Sequence, residues 1–248
     1  MQALERILAI LESTARTASA ASPTKVAEET GLSLSTVVRL MQSLTDAHVL
    51  VRSADTGQYR IGPRLVGIVA RATQSFDYRI AAQPLLDNLR DITQETASLH
   101  MLQGNDRMCV AAAYTTQPFG RIVPIGLPFP VAGSAAGHAL LSQLDDGDLE
   151  RVLNEVCEGS QVEIVRAAVQ EVREQGFTVA VNQAVAGIRG IAMPVGKDPG
   201  LGCLSVSGPA SRFDDAAAAK ALPPLQETAE ALVSMRALEP PAERPGRA

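Results

Sequence analysis

The chain lacks most of what would support a disulfide framework, a membrane span or an active centre. Its three cysteines, Cys109, Cys157 and Cys203, are odd in number and widely spaced, with no C-x-x-C pair. Structural disulfides and zinc are therefore not expected, and a reducing cytoplasm fits best. Every long uncharged stretch is broken by Gly or Pro, which argues against a membrane span. The N-terminal segment carries Glu5 and Glu12 rather than a basic region ahead of an apolar one, so it does not read as a secretion signal. The histidines, His48, His100 and His138, stand far apart in unlike contexts. Gly133-Ser134-Ala135-Ala136-Gly137 lacks the G-x-S-x-G spacing of a nucleophile elbow, and Gly200-Leu201-Gly202 lacks the third glycine of a dinucleotide loop. No catalytic residue, metal ligand or cofactor is expected. Positive charge is also scarce, the net charge being −5. In residues 1–62, Arg6, Arg16, Lys25, Arg39, Arg52 and Arg60 balance Glu5, Glu12, Glu28, Glu29, Asp46 and Asp55. A nucleic-acid-binding module this neutral must gather its cations on one face and act in two copies per site.

What is present is a helical pattern near the N-terminus. Leu4, Ile7, Leu8 and Leu11 share one face of a first helix. Ser22 and Pro23 open a second, as an N-cap and a first-turn proline would, and it stops at Gly31, suited to a left-handed C-cap. A third helix starts at Ser33 with Val37, Leu40, Met41 and Leu44 in one apolar stripe. Its other face carries Ser35, Thr36, Arg39, Gln42 and Ser43, with no carboxylate among them. Two strands follow, Val49 to Arg52 and Gln58 to Ile61, around the turn Asp55-Thr56-Gly57. Three helices and a hairpin make a winged helix-turn-helix, a DNA-binding arrangement, where an ordinary helical hairpin would need no wing. Candidate DNA contacts are Lys25, Ser33, Ser35, Thr36, Arg39 and Gln42 on the helices, and Arg52, Tyr59 and Arg60 on the wing.

Beyond Pro63 the pattern predicts a connector helix over 63–78, then an α+β domain over 79–238 and a frayed tail at 239–248. The expected order is a helix from Arg79 to Glu95, strands SLHMLQ, MCVAAAY and RIVPIG, and a Gly/Ala-rich helix start near Ser134. Helices at 146–156 and 163–175 and strands FTVAV, GIRGIAMPV and LGCLSVSG come next. A last helix over 214–238 should be delayed or kinked by Pro223-Pro224. Such an order builds helices around an antiparallel sheet. Backbone N–H groups of Ser134, Ala135 and Ala136 could hold a carboxylate. Cys203, Ser205 and Ser207 alternate, so they share one strand face, opposite Leu204 and Val206.

The succession AEETGLSLSTVVRLMQSL, YRIGPRLV, QPLLDNLRDITQETA, SAAGHALLSQL, VREQGFTVAVNQAVAGIRGIAMPV and LSVSGP resembles the isocitrate lyase regulator (IclR) family over nearly the whole chain. The resemblance implies a winged helix-turn-helix joined by a helix to a GAF-like effector domain with an antiparallel sheet. It implies homodimers or homotetramers on palindromic operator DNA, repressing a catabolic operon in response to a small organic acid. An enzyme carrying a winged helix, such as a small-molecule hydrolase, is the alternative. Ser35, Thr36 and Arg39 match the family, whereas Leu34 and Val38 stand where lysine and histidine are frequent, and His138 replaces a usual lysine. The family's small oxo-acid sensors use an aspartate and a cysteine where this chain has Ala180 and Gly190. Asn182 and Gln183 replace paired glutamates. The resemblance thus implies an effector site at Ser134, Ala135, Ala136, Ser205 and Ser207, with Met101, Phe129 and Ala180 as apolar walls. With two polar partners gone and space opened, the expected ligand is a carboxylate with an apolar or aromatic body.

Overall fold

The computed structural model describes residues 3–16, 20–72 and 78–237. They divide into two compact units, 1–76 and 77–248. In the first, α1 (Ala3–Arg16), α2 (Pro23–Thr30) and α3 (Leu34–Asp46) precede β1 (Leu50–Arg52), β2 (Tyr59–Ile61) and α4 (Pro63–Ala72). Ser22 caps α2 by accepting from the Lys25 N–H, and Gly31 ends it at φ 69°, a left-handed conformation that costs glycine nothing. Val37 and Met41 of α3 are fully buried with Ile10, Val26 and Leu50, so the predicted stripe is the core seam. The wing pairs Leu50 with Ile61 and Arg52 with Tyr59, and Ala21 exchanges two backbone hydrogen bonds with Tyr59 (2.8 and 2.9 Å). Of the predicted connector, α4 is described; residues 73–77 lie outside the described residues.

The second unit runs α5 (Tyr78–Thr93), β3 (Thr96–Gln103), β4 (Asp106–Ala113), β5 (Pro128–Pro130), α6 (Ala135–Leu141), α7 (Asp146–Val156) and α8 (Gln161–Gln175). Then come β6 (Thr178–Val181), β7 (Ile188–Pro194), β8 (Cys203–Pro209) and α9 (Asp215–Ala237). Six strands form one antiparallel sheet in the order β5-β4-β3-β8-β7-β6. Helices α5 and α9 cover one face, burying Leu86, Leu89, Leu99, Ile191, Leu204, Val206, Leu225 and Leu232 in a common core. On the other face α6 packs against β7 and β8. Val131, Leu141, Leu153, Val165 and Val169 form a second core there with α7 and α8. Glu95, at the start of β3, is buried and takes a two-pronged bond from Arg212, which also donates to the Pro118 carbonyl.

Two expectations are corrected. RIVPIG is not a strand: Pro124 has no N–H to give, and the segment touches the sheet by one bridge, Cys109 to Ile125. Side chains hold it instead, the Thr96 hydroxyl donating to the Arg121 carbonyl (2.7 Å) and Tyr114 to the Val123 carbonyl (2.8 Å). The short strand is β5, two residues later. Helix α9 is also not delayed by Pro223 and Pro224: it starts at Asp215 and stays helical through both. Its buried Leu225 and Leu232 contribute about 1.5–3 kcal/mol each, which offsets the prolines' cost. The predicted tail at 239–248 lies outside the described residues.

In the first turn of helix α6 the chain passes very close to the Val131 backbone. A Cβ on Gly137 would lie 1.6 Å from the Val131 carbonyl oxygen, a backbone atom. Gly137→Ala should therefore cost at least about 1–3 kcal/mol, lowering the melting transition of this unit by roughly 2–12 °C. Gly147→Ala, in the exposed first turn of α7 with only a 3.4 Å contact to Asp145, should leave it unchanged or raise it slightly. Calorimetric scans of the two variants check this; equal shifts would mean the close approach at Gly137 is not limiting.

Candidate DNA-binding face and effector cavity

On α3, Ser35, Arg39 and Gln42 are exposed. The Ser33 hydroxyl caps the Thr36 N–H (3.3 Å) and lies 3.2 and 2.8 Å from the Ser35 and Thr36 hydroxyls. Ser33 and Thr36 are thus tied into the helix start, while Gln42 donates to Asp46 (2.9 Å). The Arg39 and Arg60 side chains are exposed and in no ion pair among the described residues. Lys25 is 3.9 Å from Glu29, whose carboxyl is held below its usual range by hydrogen bonds from Ser13 and Arg16. On the wing, Arg52 donates to the Gly57 carbonyl (3.3 Å) and its guanidinium sits 5.8 Å from the centre of the Tyr59 ring. Tyr59 is a correction: its register against Arg52 and Ala21 turns the ring into the core, leaving it 4 % exposed and without surface for a phosphate. Two apolar side chains are unexpectedly open on α3, Leu34 at 49 % and Val38 at 44 %.

In the second unit, the sheet face beneath α6 carries a small, half-open cavity. The register builds its floor. Ala180 of β6 pairs with Gly190 of β7, which pairs with Ser207 of β8; Ser205 lies two residues away on the same face. Ser134, Ala135 and Ala136 form one wall. Six of the eight residues proposed from the sequence thus meet around one space. Met101 and Phe129 do not line it. A bulge between Leu99 and His100 resets the strand ahead of Met101. Phe129 instead pairs across strands with Arg107, its ring 5.4 Å from the guanidinium. The expected carboxylate cradle is also weaker than the sequence implies. Helix α6 has only seven residues, and the Ser134 hydroxyl is used in capping the Gly137 N–H (3.0 Å).

The lining residues that sequence reasoning missed are His100, Arg107, Arg121, Val123, Ala184, Val185 and Ile188. Arg107 is 6 % exposed and Arg121 partly buried, and no carboxylate lines the cavity among the described residues. Burial lowers the pKa of both guanidiniums, and Arg121 lowers that of Arg107 further, though both stay charged. Nearby thiols give no counter-charge, since burial pushes Cys203 up and Cys109 up to about 11. His100 is pushed down to about 3, by burial first and then by Arg107 and Arg121, so it is neutral. Its Nε2 is 2.9 Å from the Ser98 hydroxyl. Its Nδ1 and the Arg107 Nε are buried with no hydrogen-bond partner. A half-open space with two cations, hydroxyls and small apolar walls is suited to holding an organic anion.

Neutral buried histidines make stability depend on pH. His100 (about 3) and His138 (about 4, lowered by burial) titrate near 6.5 once unfolded. Between 6.5 and these values the unfolded chain binds more protons, so stability falls as pH falls. The loss at pH 5 should reach at most about 2 kcal/mol for each histidine. Urea unfolding at pH 7 and pH 5 measures it, and His100→Gln should show the smaller drop; an equal drop would place the dependence elsewhere.

A family model described as the IclR helix-turn-helix domain matches residues 3–53. A second, bacterial transcriptional regulator IclR C-terminal, matches residues 70–234. The HTH-type transcriptional repressor AllR of Salmonella paratyphi A is 27 % identical over 97 % of this chain and 92 % of its own. AllR of Escherichia coli K12 is 26 % identical over 86 % and 82 %. Among solved structures, an IclR transcriptional regulator from Alicyclobacillus acidocaldarius superposes with a TM-score of 0.76 at 24 % identity, covering 93 % of this chain and 97 % of that one. An IclR homologue from Microbacterium hydrocarbonoxydans, complexed with 4-hydroxybenzoate, gives 0.76 at 20 % identity over 94 % and 99 %. With both units matched in order and two thirds of its length covered by the C-terminal model alone, the chain belongs to the IclR family of bacterial transcriptional regulators, with a DNA-binding helix-turn-helix domain followed by an effector-binding domain.

Proposed function

We propose that this regulator is a cytoplasmic repressor that binds palindromic operator DNA as a homodimer or homotetramer and changes that binding when its cavity takes a small organic acid. The supporting observation is the pairing, in one chain, of an open helix α3 with a cavity holding two cations and no acidic lining residue among those described. Ser35, Arg39 and Gln42 face outward as base-reading groups, with Arg52, Arg60 and Lys25 toward phosphates. Leu34 and Val38, open on the same helix, suit thymine methyl groups. Six cations against six anions in residues 1–62 leave one copy with little phosphate affinity, which supports binding in pairs. Val123, Ala180, Val185 and Ile188 supply the apolar walls for the ligand's body. The aromatic ring of the 4-hydroxybenzoate bound by the Microbacterium homologue is a body of that kind.

Selection of duplexes from a random pool at low salt tests the DNA half. Arg39→Ala should cost about 1–3 kcal/mol and relax one base pair per half-site if Arg39 reads a guanine. A loss uniform over all sequences would assign it to phosphate, and a wild-type protein that selects nothing would sink the reading. For the ligand half, thermal shift should favour aromatic and longer-chain acids over glyoxylate. Ala180→Phe should abolish that response by filling their space.

A further inference from the structure

Resting on the acid-sensing reading above, the cavity says more about the charge of what it takes. We infer that the effector is a dianion, held by Arg107 in the depth of the cavity and by Arg121 nearer its mouth. Arg107 is more than nine-tenths buried, and its Nε has no hydrogen-bond partner. Its guanidinium lies over the Phe129 ring, 5.4 Å from the ring centre. Arg121 reaches the same space from a segment whose backbone is fixed by the Thr96 hydroxyl. Neither arginine is in an ion pair among the described residues.

Charge counting then favours two negative charges over one. The other polar lining groups are Ser134, Ser205, Ser207, Gln183 and His100, all uncharged, since His100 is held neutral. The two neighbouring thiols stay protonated, and that of Cys203 donates to the Ala136 carbonyl (3.2 Å). A monoanion therefore leaves a guanidinium without a partner beside a second one that repels it. A dianion pairs both, and charged hydrogen bonds to planar guanidiniums are the strongest available there. The unpartnered His100 Nδ1 is a further polar contact beside Arg107. Two carboxylates on one skeleton or one phosphate group carry the required charge.

Calorimetric titration of the full-length protein separates the possibilities, using succinate against butyrate, terephthalate against benzoate, and inorganic phosphate. At least one diacid should bind tenfold or more tightly than its monoacid partner. Arg121→Gln, at a partly exposed position, should reduce that preference below threefold while leaving the monoacid within threefold of wild type. Arg107→Gln, checked for folding by its melting curve, should weaken both acids more than tenfold. Phosphate binding tighter than either diacid would put the two charges on one group. Monoacids that bind wild type as tightly as diacids, with phosphate no better, would overturn the dianion and leave the acid-sensing reading intact. If no acid binds and none alters duplex binding, the sensing reading falls as well.

Discussion

A sheet covered on both faces has to find an internal partner for every polar group it carries, and that requirement shapes the whole second unit. Across β3 and β8, Leu99 meets Leu204 and Ala97 meets Val206 on the face under α5 and α9. On the other face Ser98 meets Ser205 and His100 meets Cys203. Most polar groups there are satisfied within the fold. Ser98 bonds His100, Thr96 holds the Arg121 carbonyl, and Cys203 donates to α6. Among the buried side-chain atoms left without a partner, the Arg107 Nε and the His100 Nδ1 belong to residues that line the cavity, while those of His138, Gln143 and Arg189 do not. An unmet buried donor or acceptor costs about 1–3 kcal/mol, a cost that a ligand in the cavity would relieve at His100 and Arg107 on the proposed reading.

The first unit solves a different problem with little charge. Its helices are delimited by local chemistry: serine hydroxyls at the starts of α2 and α3, and a left-handed glycine between them. Its seam is Ile10, Val26, Val37, Met41, Leu50 and Tyr59. Glu29 is drawn aside by Ser13, Arg16 and Lys25, while Asp46, at the end of α3, takes the Gln42 amide. Arg39 and Arg60 thus stay available although the unit carries no excess of cations. Such a surface discriminates through hydrogen bonds and apolar contacts more than through bulk attraction.

These differences in physics explain what the sequence alone could reveal. Helix ends and the wing were legible because each rests on neighbouring residues, as do the two-residue alternations that set Ser205 and Ser207 beneath Ser134 to Ala136. RIVPIG was misread because its pattern matches a strand, while its placement depends on bonds from Thr96 and Tyr114. Pro223-Pro224 misled because burial along α9 outweighs local propensity. Tyr59 looked like a phosphate contact until the Ala21 bridge turned it inward. Arg107 left a fainter signal. It has the same parity as Cys109 on β4, which would place it on the buried face, yet a charged residue in a short strand usually reads as solvent-facing. The segment that encloses it, carrying Arg121 and Val123, could not be positioned from pattern at all.

Under the acid-sensing proposal, the two halves of the cavity lining do different work in recognition. Ala180, Gly190, Ala135 and Ala136 set how much volume a ligand has, and they act through contact area alone, about 25 cal/mol per Å² of apolar surface whatever the shape. Such walls separate ligands that differ by one methylene only modestly. Arg107, Arg121 and His100 act directionally: a ligand lacking the matching groups leaves buried polar atoms unpaired, and that penalty discriminates far more steeply. The substitutions most visible in the sequence, small residues at 180 and 190, therefore govern size. On the proposed reading, chemical identity is governed by the residues on β3, β4 and the segment after β4, where local sequence pattern says least.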